Sequence, residues 1–273
     1  TVNLSPADIA KEGSHYDLPI AVGVLMAMEV LPSDAADGSF FMGELALDGS
    51  LSGVNGVLPG AIHANAAEMN SIFVPPQNGF EAAWAGDINV YTPQNLTDVL
   101  AHLKGETPLQ AVVPTQMEVP PAPTAHLDFA DVKGQEQAKR AAEIAAAGGH
   151  NLLMTGPPGA GKSMIAQRIP GILPKLASKD ALEISMIHSI AGELTEAGLV
   201  HYRPFRDPHH SASAVSLTGG GHKAKPGEMS LAHKGILFMD ELPEFPRQVL
   251  ETLRQPLETG TITISRASAH VKY

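Results

Sequence analysis

The chain has 273 residues and no cysteine. That excludes a disulfide framework and any thiolate metal site, and it points to a reducing compartment such as the cytoplasm. No apolar run approaches the ~18 residues that would read as a membrane span. The opening Thr1-Val2-Asn3-Leu4-Ser5-Pro6 carries neither an initiator methionine nor a signal-like segment, so the chain is expected to begin inside a domain. No internal repeat or low-complexity tract stands out. Positive charge is scarce at first: residues 1–125 hold only Lys11 and Lys104, no arginine, and 14 acids, a balance of −12. The remainder holds 16 basic and 15 acidic residues, or +1. The total of −11 argues against nonspecific nucleic-acid binding by the whole surface, while leaving room for a local basic channel in the second half.

What is present is globular: 44% apolar and 17% charged residues, at a length sufficient for two cores. Prolines at 108, 114, 120, 121 and 123 remove backbone donors and favour extended chain, so residues 106–126 read as a linker between domains at 1–105 and 127–273. In the first domain, Leu18 to Val30 and Leu58 to Met69 read as helices. Asn95 to Leu103 is a third, capped by Asn95 or Thr97. Phe40 to Leu47 and Ser71 to Val74 read as strands, with a turn at Asp48-Gly49, giving a mixed α/β or α+β unit. In the second, Gly134 to Gly148 is an Ala-rich helix with a glycine stop. An irregular stretch from about 190 to 234 is followed by an acidic strand, a helix from Pro246 to Leu257, and β-like alternation at Thr261 to Ile264. Strands alternating with helices predict a parallel sheet wrapped by helices.

Gly156-Pro157-Pro158-Gly159-Ala160-Gly161-Lys162-Ser163 spells G-x-x-x-x-G-K-[ST]. It lies between a predicted strand, Asn151 to Thr155, and a predicted helix from Met164 to Ile169. In such a setting backbone N–H groups surround the α/β-phosphates of ATP, Lys162 reaches the β/γ-phosphates, and Ser163 ligates Mg²⁺. The alternative, a Gly/Pro-rich turn matching by chance, loses ground to Gly235 through Met239, an apolar strand ending in Asp240 and Glu241. There Asp240 would hold Mg²⁺ through water and Glu241 would polarise the attacking water.

With these motifs in place, residues 127–273 resemble the AAA+ ATPases, and within them the magnesium-chelatase-like group that contains the ComM/YifB family. The resemblance is carried by Gly134-Gln135-Glu136-Gln137-Ala138-Lys139, Gly148-Gly149-His150-Asn151-Leu152-Leu153, the nucleotide loop, Arg203-Pro204-Phe205-Arg206-Asp207-Pro208-His209-His210-Ser211, and Pro226-Gly227-Glu228 through Phe245. It implies a P-loop α/β/α core that stops before the sensor and lid elements. It also implies an ATP- and Mg²⁺-dependent homo-hexamer passing single-stranded or branched DNA through a central pore, as in branch migration during recombination or natural transformation. The alternative within the group is an ATPase subunit driving metal insertion into a porphyrin. Residues 1–105 resemble the α+β proteolytic domain of Lon (S5 domain 2-like) through Lys11-Glu12-Gly13, Gly49 through Ala67 and Val74-Pro75-Pro76-Gln77-Asn78. The catalytic serine position falls near Tyr16-Asp17 and the lysine position at Gly60, which implies a pseudo-protease rather than a protease. ComM-like proteins carry such a first half, and the chelatase subunits are expected to lack it.

Other candidates stay open. Lys223 and Lys225 follow Gly219-Gly220-Gly221 and suit a mobile loop presenting cations to a phosphate backbone, or are simply solvated. Arg266 and Lys272 lie on a second candidate pore loop, Thr261 to Tyr273. Of the 12 histidines, five lie between 201 and 234; a zinc site, an interface role, or ordinary loop hydrogen bonds would each account for them. The resemblance implies that Val132, Gly134 and Gln135 stand where AAA+ chains pass the adenine. His150 and Asn151 could equally be a helix end and strand start.

Overall fold

The computed structural model describes residues 2, 13–113, 122–194, 198–221, 224–265 and 270–273. The chain forms two units: one from the described residues up to 113 with 185–194 and 198–199, the other from 122–184, 200–265 and 270–273. Among the described residues no helix is long and apolar enough to cross a membrane.

In the first unit, helix α1 (Asp17–Ala27) precedes strands β1 (Ser39–Phe41), β2 (Glu44–Leu45) and β3 (Leu51–Ser52). Helix α2 (Val57–Ala66), β4 (Ser71–Phe73), α3 (Gly79–Ala82), β5 (Asn89–Tyr91) and α4 (Leu96–Leu103) follow. β1, β4 and β5 form a parallel sheet, in register Phe41↔Phe73↔Tyr91. The period of two along each strand sorts the side chains. Phe40, Ile72 and Val90 join Val57, Ala61 and Ala64 of α2 in one cluster. Phe41, Phe73 and Tyr91 join Leu18 and Val22 of α1 and Val99 of α4 in the other. The predicted strand from Phe40 to Leu47 is therefore two strands in different sheets, broken at Gly43, whose N–H donates to the His15 carbonyl. The α4 start is a capping box: Asp98 N–H donates to Asn95 Oδ1 at 2.9 Å, and the Asp98 carboxylate accepts from Asn95 N–H at 3.3 Å.

The predicted linker is not free over its described first part. Leu109 N–H donates to His102 Nδ1 at 2.8 Å and Val112 N–H to the Val90 carbonyl at 2.8 Å. Prolines 114, 120 and 121 lie outside the described residues.

The second unit begins with α5 (Glu136–Gly148), α6 (Lys162–Ala166), α7 (Ile169–Ile172) and α8 (Ser178–Ala191), the last crossing into the first unit's residues at Ser185. Next come β6 (Phe205–Arg206), α9 (Ala214–Thr218), β7 (Gly219–Gly220), β8 (Lys225–Pro226), α10 (Glu228–Leu231) and β9 (Ile236–Leu237). Helix α11 (Arg247–Thr259) and the hairpin β10 (Thr263–Ser265) and β11 (His270–Lys272) complete it. β6 and β9 pair in parallel. Among its described residues, the stretch expected to be irregular thus holds two helices and three short strands. Two further expectations are corrected. The helix after the nucleotide loop is interrupted between Ala166 and Ile169, with Pro170 restarting the chain as α7. Asn151 to Thr155 forms no strand: it enters no ladder, and a strand exists only with a partner.

Candidate nucleotide site

The nucleotide loop keeps the shape its glycines permit. Gly161 has φ +82, a left-handed conformation that starts α6, and a Cβ there would lie 2.9 Å from Gln135 Nε2. Gln135, itself at φ 55, donates from Nε2 to the Ala160 carbonyl at 2.9 Å. That places it on the loop rather than leaving it only as an adenine neighbour. Its flank is tied down by Arg168, whose Nε donates to the Asp128 carbonyl at 2.8 Å while Nη2 pairs with Asp131 at 3.2 Å. Lys162 turns back over the loop, donating to the Gly156 and Pro157 carbonyls at 3.1 Å each. Those carbonyls satisfy an ammonium that a triphosphate would otherwise attract.

Ser163 and Asp240, 77 residues apart, meet directly: Ser163 Oγ donates to Asp240 Oδ2 at 3.0 Å. Both are hard oxygen donors of the kind Mg²⁺ takes, so the pair fits the ion's donor chemistry, with Ser163 placed to ligate it and Asp240 to hold it through water. The other Asp240 oxygen accepts the Glu241 N–H at 2.9 Å. Glu241 has φ 52 and ψ 45, an unusual backbone for a residue with a side chain, held by the Glu244 N–H bonding its carbonyl at 2.8 Å.

The parallel pair carries the acids to a second motif. Ile236 N–H donates to the Pro204 carbonyl and Phe238 N–H to the Arg206 carbonyl, both at 2.8 Å. The rings of Phe205 and Phe238 stack at 5.9 Å. This close approach needs glycine at 235, where a Cβ would sit 2.0 Å from the Pro204 carbonyl oxygen. Because the strands run the same way, residues after Arg206 and after Leu237 emerge at one end. There Asp207 lies near Asp240: burial raises its carboxyl above the usual range, and the Asp240 charge raises it further. His210 Nδ1 lies 3.5 Å from Glu241 Oε2. Arg206 anchors the arrangement from behind, with Nε 2.6 Å and Nη2 2.9 Å from the two Glu228 oxygens. Reading the sequence left Asp207 and His210 unassigned. The available signal was the apolar Phe205 between arginines, a minimal strand matching Ile236-Leu237.

The DNA-contact candidates fall elsewhere in this unit. Lys225 is exposed on β8, and Gly220 pairs with Lys225 and Gly219 with Pro226 in an antiparallel ladder. Lys272 is exposed on β11. The two hairpins touch: Tyr273 Oη donates to the Ala224 carbonyl at 2.8 Å. Lys223 and Arg266 lie outside the described residues. Among the described residues no three His, Asp or Glu side chains converge as a metal-binding group. His150 N–H bonds the Ala145 carbonyl at 2.9 Å, part of the α5 end.

In the first unit, the Ser14 hydroxyl donates to the Glu44 carboxylate. Gly60, where the expected resemblance to Lon would put a lysine, faces Met42: a Cβ there would be 2.5 Å from Met42 Sδ. The position is filled by the end of the Met42 thioether, which would have to shift to admit a side chain.

Comparison with known proteins matches residues 128–273 to the family described as "Magnesium chelatase, subunit ChlI" and residues 1–78 to "Subunit ChlI of Mg-chelatase". The second match carries a chelatase description too, so a first half of this kind does not by itself separate the chain from chelatase subunits. Over its whole length the chain is 47% identical to the competence protein ComM of Haemophilus influenzae, covering 54% of that protein. It is 47% and 45% identical to the YifB proteins of Salmonella typhimurium and Escherichia coli, covering 53% of each. The chain spans about half the length of these curated relatives.

Proposed function

The chain belongs to the magnesium-chelatase-like family that includes the ComM and YifB proteins, and from that premise we propose that it is the ATP-hydrolysing machinery of a motor that remodels DNA. The single observation behind the ATP site is the 3.0 Å contact that brings the nucleotide loop and the acidic pair together through Ser163 and Asp240. In this reading the loop from Gly156 to Ser163 wraps the phosphates, and Lys162 exchanges two carbonyls for the β/γ-phosphates. Ser163 and Asp240 hold Mg²⁺, which neutralises charge on the phosphate oxygens. Glu241 orients and activates the attacking water.

DNA as the substrate is supported by the resemblance to a competence protein along the whole chain and by the adjoining hairpins that expose Lys225 and Lys272. The working form is a homo-hexamer moving single-stranded or branched DNA through its pore in branch migration. The second reading, metal insertion into a porphyrin, rests on the chelatase name that both matched families carry. ATP hydrolysis by the intact protein, measured alone, with duplex, forked and four-way DNA, and with porphyrin, separates them. Four-way DNA should stimulate hydrolysis, and Lys162→Ala should abolish ATP binding by calorimetry. Hydrolysis indifferent to DNA but dependent on porphyrin would favour the second reading, and unchanged ATP affinity in Lys162→Ala would overturn the nucleotide site.

A further inference from the structure

We infer that His210 is a positioning residue for Glu241, holding the carboxylate that the proposed ATPase uses to activate water. The inference rests on that proposed reading and goes beyond it by assigning the Asp207-Pro208-His209-His210 turn to the reaction. Three observations carry it. First, the parallel β6–β9 ladder, continued by the Phe238-to-Arg206 bond, delivers both segments to the same end of the strand pair. Their meeting is thus set by backbone register rather than by a chance side-chain rotamer. Second, the His210 ring is itself braced. It lies against His209 with ring centroids 4.0 Å apart. His209 is fixed in turn by Ser211, whose N–H donates to His209 Nδ1 at 3.2 Å and whose Oγ lies 2.8 Å from the same nitrogen. A backbone N–H can only donate, so that nitrogen presents its lone pair and the ring has a defined orientation. Third, His210 Nδ1 stands 3.5 Å from Glu241 Oε2, while the Glu241 backbone is held in a left-handed turn.

A 3.5 Å separation is an ion-pair distance rather than a formed hydrogen bond. Such contacts in nucleotide-free sites shorten when the substrate arrives. Once the contact closes, a nitrogen at this position orients Oε2 and leaves the second carboxylate oxygen to meet water. The inferred influence of His210 passes through Glu241, the member of the acidic pair that its Nδ1 faces.

The test uses the intact protein and four variants: His210→Ala, His210→Asn, Glu241→Gln and the His210→Ala/Glu241→Gln double. Asparagine places an amide nitrogen close to where Nδ1 stands. His210→Ala should lower kcat about tenfold, a fraction of the roughly 10²–10⁴ that a general base supplies, with KM and ATP affinity unchanged. His210→Asn should restore most of the rate. In single-turnover hydrolysis the double variant should be no slower than Glu241→Gln alone, because a positioning residue has nothing left to position. Wild-type kcat in His210→Ala, no recovery in His210→Asn, or an equal further loss in the double variant would each overturn the inference. If His210→Ala fails to fold, the asparagine variant decides alone, by showing the wild-type rate or not. A Glu241→Gln protein that hydrolyses ATP normally would be a different failure, that of the ATPase reading itself.

Discussion

Replacing Ser189 by alanine should weaken the attachment of residues 185–194 within the first unit by an amount that depends on pH. Ser189 is buried, and its hydroxyl donates to Glu81 Oε2 at 2.6 Å. Asn78 Nδ2 donates to Glu81 Oε1 at 2.6 Å and Leu58 N–H to Oε2 at 3.3 Å. Burial pushes the Glu81 carboxyl above its usual range, while the Ser189, Asn78 and Leu58 donors pull the other way. A carboxyl raised in the folded state contributes stability below its unfolded pKa and loses it as pH rises through the folded one. Removing the Ser189 donor raises Glu81 further, so the penalty must grow with pH. With Glu81 ionised, the lost bond amounts to about 1.5–3 kcal/mol, and with Glu81 protonated to about 0.5–1.5 kcal/mol. Trp84, the chain's single tryptophan, reports on the contact, since a Cβ on Gly198 would lie 2.7 Å from its Nε1. Urea unfolding of wild type and Ser189→Ala, followed by Trp84 fluorescence at neutral and at acid pH, gives the two differences. Equal penalties at both, or none at neutral pH, would refute the reasoning.

Glu241→Gln should keep ATP affinity while slowing hydrolysis by about 10² or more, as removal of a water-activating group predicts. Asp240→Asn should instead weaken the Mg²⁺-dependent part of binding, and calorimetry with and without Mg²⁺ distinguishes the two. A Lys223→Ala/Lys225→Ala variant should bind DNA more weakly at every sequence, with the salt slope of log K reduced by about 0.7–0.9 per lost phosphate contact and basal ATPase retained. Affinities at several salt concentrations check it, and a wild-type slope would leave the Thr263–Lys272 hairpin as the candidate.

What could be read in the sequence was local. The Asn95 cap was legible because its partner Asp98 lies one turn away, and the nucleotide loop because its glycines and lysine are contiguous. β5 was not, since Asn89-Val90-Tyr91 offers three residues with one fully buried, too few to show a period. The split at Gly43 depends on a hydrogen bond to His15, and the pinning of Leu109 and Val112 on partners at 102 and 90. Asn151 to Thr155 has the composition of a strand, but composition cannot supply a neighbour to pair with. The largest omission, His210 beside Glu241, follows from a parallel pairing across 31 positions, Phe205 with Ile236, whose two-residue strands leave almost no periodic trace.

The approach of Gly235 to the Pro204 carbonyl has a consequence for how a mutational scan of this protein would look. Gly235 stands five positions before Asp240, and every substitution there introduces an atom where a backbone oxygen already sits. Activity would vanish at 235 as completely as at 240, and a map of lost function alone would assign both to the active site. Abundance separates them: at 235 the protein itself should be depleted, because the strands cannot close. At 240 and 241 it should accumulate normally and be inactive.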